Sequence, residues 1–506
     1  MLAVRVILLL AAAVVPGEGR SQERAPRDDA FPGVALPVEA FTLENGMRFL
    51  VLERRATPTV AFVGVVGVGG VNETLGSTGT AHLLEHMLFK GSTTVGTRNA
   101  AAEMHLFVEM DAVHDSILAE RGRADPDPQR IADLEARIEA LEDEARIYVI
   151  PNEFDRILSR AGARGLNATT SNEATTYFVE LPSNQAEVWF ALESDRMRDP
   201  VFREFYAERD VVMEERRLRV ETNPAGLLFE AHLASAFTMH PYGAPVVGYM
   251  SDLETLSRGQ VQDYYRRFYG PGNTVVAVVG DVDAGQVRRW ADRYFGDLPP
   301  GESPPPVLAR EPEQRGTRRV EVLQDAEPAL RMGWKVPSAT HADAPALAML
   351  ATLLTGSRTA RLYDALVQKT RVATFVAAGM GPGELHPRLF SLEVTPRAPH
   401  TVDEVEEEVL RVLDEFRAVP PPEEDLERVR NQISAGAVRQ LQSNLGLAVQ
   451  LASSESALGD WRATFGLTRQ IREVRAEEVQ DVVRKYFRPE NLTVAVLRTR
   501  MGVDRP

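Results

Sequence analysis

The chain has 506 residues, 44% hydrophobic content, a formal net charge of −16 at pH 7 and no cysteine. This length is too great for a single hydrophobic core, so more than one domain is expected. The acidic balance argues against a nucleic-acid partner, because phosphate binding requires a basic surface. Without cysteine, disulfides and thiolate chemistry are excluded.

Residues 1–20 have the pattern of a secretory signal peptide. Arg5 precedes an apolar stretch at residues 6–15, and small residues follow near Gly17, which is the order that export signals show. The apolar stretch is too short to span a bilayer, and no other stretch approaches 18 apolar residues. We therefore expect an exported protein, bacterial periplasmic or extracellular, without a membrane span in its mature form. An uncleaved N-terminal helix is the alternative.

The first folded segment is predicted to be a β-hairpin. Asn45 and Gly46 stand between the apolar segments 41–43 and 47–52, and Asn-Gly favours a tight hairpin turn. The apolar residues 60–68 then predict a buried strand.

The next helix carries a metal-binding pattern. His82, Glu85 and His86 occupy positions that share one face of a helix. Both imidazoles can therefore bind one metal ion while the carboxylate reaches the adjacent water. The order H-x-x-E-H is typical of inverzincin sites; two ordinary surface histidines are the alternative. We expect Thr78 or Thr80 to cap this helix.

From about residue 101 to 150 the pattern changes to two helices. Apolar residues recur there at intervals of three and four, at Ile131, Leu134, Ile138 and Leu141. The Pro-containing segment 124–128 separates this helix from the preceding one. We predict an inserted antiparallel helical hairpin that projects from the first domain. Because insertions of this length are uncommon without a function, we expect it to bind a partner or guide substrate; a solvated arm is the alternative.

A catalytic zinc site uses three protein ligands, so the pattern at residues 82–86 needs a third from elsewhere. The acidic segment 208–215 is the best source in the sequence. Glu208 and Glu215 lie two turns apart on one face of a helix. Glu214 points about 100° away from Glu215 and cannot share its role.

An internal repeat defines the architecture. Residues 261–273 match residues 479–491 without a gap, about 218 positions apart, and an apolar strand follows each copy. We predict an α+β fold of two similar α/β-sandwich domains at residues 35–298 and 309–500. A stiff Pro-rich linker, residues 299–308, joins them.

Together these features resemble the pitrilysin family of zinc metallopeptidases, peptidase family M16, which includes mitochondrial processing peptidase and insulin-degrading enzyme. The resemblance runs from about residue 40 to 498 and implies a two-domain chain of the half-size type. Its matching segments are residues 82–91, 167–170, 192–197, 208–215, 240–243 and 280–282, and the C-terminal helix, turn and strand.

The resemblance implies a role for each residue of the predicted site. His82, His86 and Glu215 would bind one Zn²⁺ per chain. Glu208 would be a carboxylate that contacts these ligands without binding the metal itself. Glu85 would act as the catalytic base for hydrolysis of a peptide bond.

Substrate binding and partners also follow from the resemblance. Asn167, Ala168 and Thr169 would lie on an edge strand that receives the peptide substrate. Many family members carry an Arg and, seven residues later, a Tyr in the second domain, which bind the substrate carbonyl. Val367 and Thr374 occupy these positions here. We therefore expect the zinc-bearing subunit of a hetero-oligomer, in which a second pitrilysin-type subunit supplies the missing pair.

The resulting hypothesis is a zinc-dependent endopeptidase that cleaves peptides or unfolded segments. Bound zinc lowers the pKa of water to about 7, and the neighbouring carboxylate accepts the proton. One alternative is a non-catalytic structural or chaperone-like subunit, but this would need a degraded metal site. A metal sensor or store would need more ligands close in sequence.

Overall fold

The structure is a computed structural model that describes residues 36–302 and 304–500. The predicted signal peptide therefore lies outside the described residues. From Pro37 onward the chain forms one compact unit. Within the described ranges, no helix is both long enough and hydrophobic enough to cross a membrane.

The first sheet has six strands in the order β1-β2-β6-β3-β5-β4. The strands are β1 (Glu39–Thr42), β2 (Arg48–Glu53), β3 (Thr59–Val66), β4 (Arg164–Thr170), β5 (Thr175–Pro182) and β6 (Thr274–Gly280). The pair β2–β6 is parallel and the other pairs are antiparallel. The predicted hairpin joins β1 to β2, and Gly46 has a φ of 91° in its turn, where glycine is favoured.

The second sheet repeats these pairings in the order β7-β11-β8-β10-β9. Its strands are β7 (Arg318–Gln324), β8 (Ala329–Val336), β9 (Ala373–Gly381), β10 (Arg388–Pro396) and β11 (Leu492–Thr499). Again one pair, β7–β11, is parallel, and the partners of β8 and β10 are antiparallel. Apart from β1, which has no counterpart in the second sheet, the two sheets thus share one topology, as the sequence repeat predicted.

Helices flank both sheets. In the first half they are α1 (Thr80–Met87), α2 (Ala100–Arg121), α3 (Pro128–Arg146), α4 (Glu153–Arg160), α5 (Ala186–Arg198), α6 (Phe205–Arg216), α7 (Pro224–Ala236), α8 (Met250–Thr255), α9 (Arg258–Phe268) and α10 (Ala284–Phe295). In the second half they are α11 (Ala344–Thr355), α12 (Val402–Ala418), α13 (Glu423–Gln440), α14 (Asn444–Leu458), α15 (Ala463–Glu473) and α16 (Ala476–Tyr486). Two π-helical turns, Arg217–Glu221 and Tyr363–Lys369, lie between them. The repeated segments become α9 and α16, each followed by a short 3₁₀ turn and a central strand. The predicted α+β class with two repeated domains is confirmed.

The two halves exchange one helix each. Helix α7 belongs to the first half but packs on β7 and β11, where Leu228 joins Ala495 and Leu497. Helix α14 belongs to the second half but packs on β3 and β6. An ion pair of 2.9 Å between Arg48 and Glu455 fixes α14 there. Each half thus contributes one helix that packs on the sheet of the other half. The domain boundary at residues 299–308 stays a prediction.

The predicted helical hairpin is formed by α2 and α3. Ion pairs join Arg121 to Glu135 and Glu109 to Arg137, so the two helices run antiparallel. The hairpin does not project freely, contrary to the expectation. Its apolar residues share a core with α1 and α6, and Glu142 accepts a 3.1 Å hydrogen bond from the backbone N–H of α6. The apolar face packs against α6 because burial removes it from water.

Candidate metal centre

Helix α1 places the histidine pair beside the sheet. The helix begins after Gly79, where Glu73 accepts hydrogen bonds from the N–H groups of Gly79 (2.9 Å) and Ala81 (2.7 Å). The expectation that Thr78 or Thr80 caps the helix is wrong, because both hydroxyls bond elsewhere. A carboxylate from the preceding turn satisfies these free N–H groups instead.

Three side chains from α1 and α6 converge on one point. Glu215 Oε2 lies 3.7 Å from His82 Nε2 and 3.5 Å from His86 Nε2. Two atoms bound tetrahedrally to one zinc ion, each at about 2.1 Å, are about 3.4 Å apart. Two imidazoles and one carboxylate at this separation fit a divalent cation such as zinc. The structure therefore brings the three predicted ligand residues together.

Glu208 orients one of these imidazoles. Its Oε1 lies 2.9 Å from His86 Nδ1, and its Oε2 lies 2.7 Å from Lys90 Nζ. Although burial opposes the change, these hydrogen bonds lower the pKa of Glu208 to about 2. The ionised carboxylate can only accept a hydrogen bond, so Nδ1 of His86 carries the proton. Nε2 then presents its lone pair toward Glu215.

The two imidazoles differ in basicity. Burial lowers the pKa of His82 to about 3, helped by the charges of His86 and Arg219. Burial also disfavours the charged form of His86, but the hydrogen bond and charge of Glu208 prevail and raise its pKa. A metal ion would therefore compete with a proton at His86 rather than at His82.

Glu85 lies between α1 and the edge strand β4. Its Oε2 accepts a 2.5 Å hydrogen bond from the hydroxyl of Thr170, the last residue of β4. Burial raises the pKa of Glu85, which makes its carboxylate a better proton acceptor near neutral pH. Glu85 thus lies next to His86 on α1, with its carboxylate at the end of β4.

The predicted peptide-binding residues lie on β4, the last strand of the first sheet. Asn167, Ala168 and Thr169 pair with β5 through Phe178, Tyr177 and Thr176, respectively. Asn167 and Thr169 are exposed and Ala168 is buried. An edge strand of this kind can pair with an added extended chain.

Arg219 is a charged residue at the site that was not predicted from the sequence. Arg219 lies in the π-helical turn after α6, and its Nη2 is 2.6 Å from Glu215 Oε1. The signal was present, because a Glu and an Arg four residues apart form a common helical ion pair. Thr170 was missed as the partner of Glu85, since that contact joins distant segments.

The second half offers no charged side chain at the two positions expected for Arg and Tyr. Val367 lies half-buried in the π-helical turn Tyr363–Lys369. Thr374 is exposed near the start of the edge strand β9, and its hydroxyl donates a 3.3 Å hydrogen bond to the carbonyl of Thr395.

Two family models together match most of the chain. The model for insulinase (peptidase family M16) matches residues 49–116 and 149–249, and the model for the peptidase M16 inactive domain matches residues 255–433. The unmatched residues between 116 and 149 fall within the hairpin of α2 and α3. The repeated halves and the helix-borne histidine pair define a two-domain α+β protein of the metallopeptidase type. More narrowly, the chain belongs to peptidase family M16.

Known proteins share this organisation. The chain is 25% identical over 468 residues to the zinc protease PqqE of Helicobacter pylori, covering 91% of this chain and 92% of that protein. A solved protease from Helicobacter pylori has a TM-score of 0.77 at 23% identity, covering 92% of this chain and 100% of that one. The periplasmic protease PqqL from Escherichia coli has a TM-score of 0.67 at 16% identity. This likeness covers 91% of the present chain but 47% of PqqL.

Proposed function

We propose that this protein is a zinc-dependent endopeptidase that hydrolyses peptides or unfolded segments. The observation that carries the proposal is the convergence of His82, His86 and Glu215 within 4.8 Å of one another, with Glu85 beside them. Membership of family M16 and the similarity to a protein named as a zinc protease support it.

His82, His86 and Glu215 would hold one zinc ion per chain. When bound, zinc supplies a Lewis acid that polarises a peptide carbonyl and acidifies water. Nitrogen and oxygen donors in this ratio are typical of catalytic zinc sites, which keep one position open. Glu208 fixes the imidazole of His86 in the tautomer that such a ligand requires.

Glu85 moves the protons. Its carboxylate accepts a proton from the attacking water and passes it to the amine nitrogen when the C–N bond breaks. A well-placed general base contributes ~10²–10⁴ in rate. Thr170 holds this carboxylate at the end of β4, so the base and the peptide-binding edge meet at one place.

Substrate would bind as an additional strand beside β4. Backbone hydrogen bonds along Asn167, Ala168 and Thr169 would hold the peptide extended, and its alternate side chains would face opposite sides. Only a short or unfolded segment can present a free backbone in this way. The proposed substrates are therefore peptides rather than folded proteins.

The test is Glu85→Gln, which keeps the shape of the side chain and removes its basicity. Turnover of a peptide should fall by ~10²–10⁴, while zinc content by metal analysis stays near one ion per chain. Glu214→Gln is the control, because Glu214 is exposed and pairs with Arg217. Turnover that survives in Glu85→Gln would refute the role of this base.

We also propose that the chain is the zinc-bearing subunit of a hetero-oligomer. The support is the lack of Arg and Tyr at Val367 and Thr374, and the match to one half of the longer PqqL chain. The isolated chain should then be weakly active, and a co-purified partner should raise its turnover. Full activity of the isolated chain would remove this proposal.

Export to the periplasm or the exterior is proposed from residues 1–20. A fold that is shared with a periplasmic protease is compatible with this. Mass spectrometry of the protein from its native host should find an N-terminus after the apolar stretch, in the exported fraction. An intact N-terminus in the cytoplasmic fraction would contradict export.

A further inference from the structure

The two oxygens of Glu215 have different neighbours. Oε2 faces the Nε2 atoms of His82 and His86, whereas Oε1 is ion-paired with Arg219 at 2.6 Å. The guanidinium thus contacts the carboxylate oxygen of Glu215 that does not face the two imidazoles. Its side chain remains 66% exposed, so an incoming substrate can reach it.

Arg219 lies in a π-helical turn. The π-helical turn Arg217–Glu221 is closed by a 2.8 Å hydrogen bond from the N–H of Thr222 to the carbonyl of Arg217. Such turns are frequently found at functional sites because they rotate side chains relative to a regular helix. Arg217, two residues earlier, pairs with Glu214 on the solvent side.

The guanidinium of Arg219 has hydrogen-bonding capacity beyond its ion pair with Glu215. A guanidinium has five N–H donors in a planar fork, so the pair with Glu215 leaves donors for a second acceptor.

We propose that Arg219 binds the carbonyl oxygen of the scissile peptide bond and stabilises the negative charge that this oxygen gains. This inference rests on the proposed peptidase function. The water oxygen bonds to the carbonyl carbon, and the C=O electron pair moves onto the oxygen that Arg219 contacts. That pair then returns, the C–N bond breaks, and the amine nitrogen takes the proton held by Glu85.

The first test is kinetic and uses the form of the enzyme that shows turnover, isolated or co-purified. Arg219→Ala should lower kcat by ~10²–10³, the usual loss when one oxyanion donor is removed, with KM nearly unchanged. Added guanidinium ion should restore part of the kcat of Arg219→Ala. The matched control Arg217→Ala removes the neighbouring Glu–Arg pair and should leave kcat unchanged.

Zinc affinity, measured by competition with a chelator, separates this role from mere orientation of Glu215. Arg219→Ala should lose at most ~10–100-fold in zinc affinity, as expected for a residue that contacts a proposed ligand, and saturating zinc should not restore kcat. If saturating zinc does restore kcat, Arg219 only positions the ligand and the inference is overturned. A loss confined to KM would overturn it as well.

Binding of a phosphinic peptide, whose tetrahedral anionic group mimics the reacting carbonyl, gives a readout that does not need turnover. Zinc-loaded Arg219→Ala should bind it ~10²–10³-fold more weakly than the wild type, while a plain peptide binds Glu85→Gln equally with or without the Arg219 change. Equal binding of the phosphinic peptide by wild type and Arg219→Ala would sink this inference alone. A wild type that neither hydrolyses peptides nor binds the phosphinic peptide would sink the proposed function too.

Discussion

The two halves of the chain share a strand order but differ in the helix that follows the strand β3 or β8. In the first half this helix, α1, carries His82, Glu85 and His86. In the second half it is α11, whose sequence APALAMLATLLT has neither a histidine nor an acid and packs into the core. The same topological position thus carries candidate metal-binding residues in one half and apolar core residues in the other.

The edge strands differ in the same way. β4 ends at Thr170, which contacts Glu85, whereas β9 begins beside Thr374, which bonds to the backbone of its own sheet. The insulinase model covers α1 and β4, whereas the inactive-domain model, which begins at residue 255 within the first half, covers α11 and β9. The repeat therefore specifies the fold of both halves, and a few side chains decide where chemistry is possible.

The largest expected effect comes from removing the charged ligand of the first half. Glu215→Gln should lower zinc affinity by more than ~100-fold, since even residues behind the ligands are worth 10–100-fold, and peptide turnover should disappear with the metal. Zinc titration and peptide hydrolysis measure this. The neighbouring Glu214→Gln is the control, and equal losses in both variants would contradict the assignment of Glu215.

In the second half, the matching experiment should change stability instead. Leu350 of α11 is fully buried, so Leu350→Ala should lower the free energy of unfolding by ~2–5 kcal/mol. Zinc affinity of the folded protein should stay unchanged. Denaturant unfolding provides the measurement, with Leu410→Ala as the control, because Leu410 is 37% exposed. A loss of zinc affinity in Leu350→Ala would break the contrast between the halves.

A smaller effect is expected at Glu208, which is hydrogen-bonded to the proposed ligand His86. Glu208→Gln weakens the hydrogen bond that orients His86 and should lower zinc affinity by ~10–100-fold, with turnover recovering in excess zinc. Titrations with zinc at fixed pH test this. If turnover stays low at saturating zinc, Glu208 does more than orient the imidazole.

The smallest effect concerns the contact between the halves. Glu311 accepts hydrogen bonds from the N–H groups of residues 238–240 and an ion pair from Lys335 on β8. Although burial opposes them, these bonds lower its pKa to about 2. Glu311→Gln should lower the free energy of unfolding by ~1–2 kcal/mol at pH 7.

The loss of unfolding free energy in Glu311→Gln should depend on pH. A depressed folded-state pKa stabilises the protein above the unfolded value of 4.5, and this stabilisation fades as the pH falls toward 2. Unfolding curves of wild type and Glu311→Gln should therefore converge in acid. A difference that stays constant between pH 7 and pH 3 would show that the charge of Glu311 contributes nothing.

The sequence alone predicted the features that depend on a local or a repeated pattern. Helical spacing placed His82, Glu85 and His86 on one face, and the match of residues 261–273 with 479–491 predicted the common topology. The meeting of α1 with α6 is not a local property. The expectation that Glu215 of α6 would join the two histidines of α1 came from the family resemblance.

Contacts between distant segments could not be predicted. The cap on α1 comes from Glu73 in the preceding turn, whereas local rules favour a residue directly before the helix. The packing of α2 and α3 on α6 depends on contacts between distant segments, such as the one that joins Glu142 to Ala207, 65 positions apart. Spacing alone predicts an apolar face but does not identify what covers it.

The reciprocal exchange of α7 and α14 has a consequence during synthesis. The strands β3 and β6 are complete once Gly280 has left the ribosome, but α14, which covers them, ends only at Leu458. At about 5–20 residues per second, an apolar sheet face stays uncovered for roughly 10–40 s. During this interval the nascent first half exposes an apolar surface, so it is prone to aggregate and offers a binding surface to a chaperone.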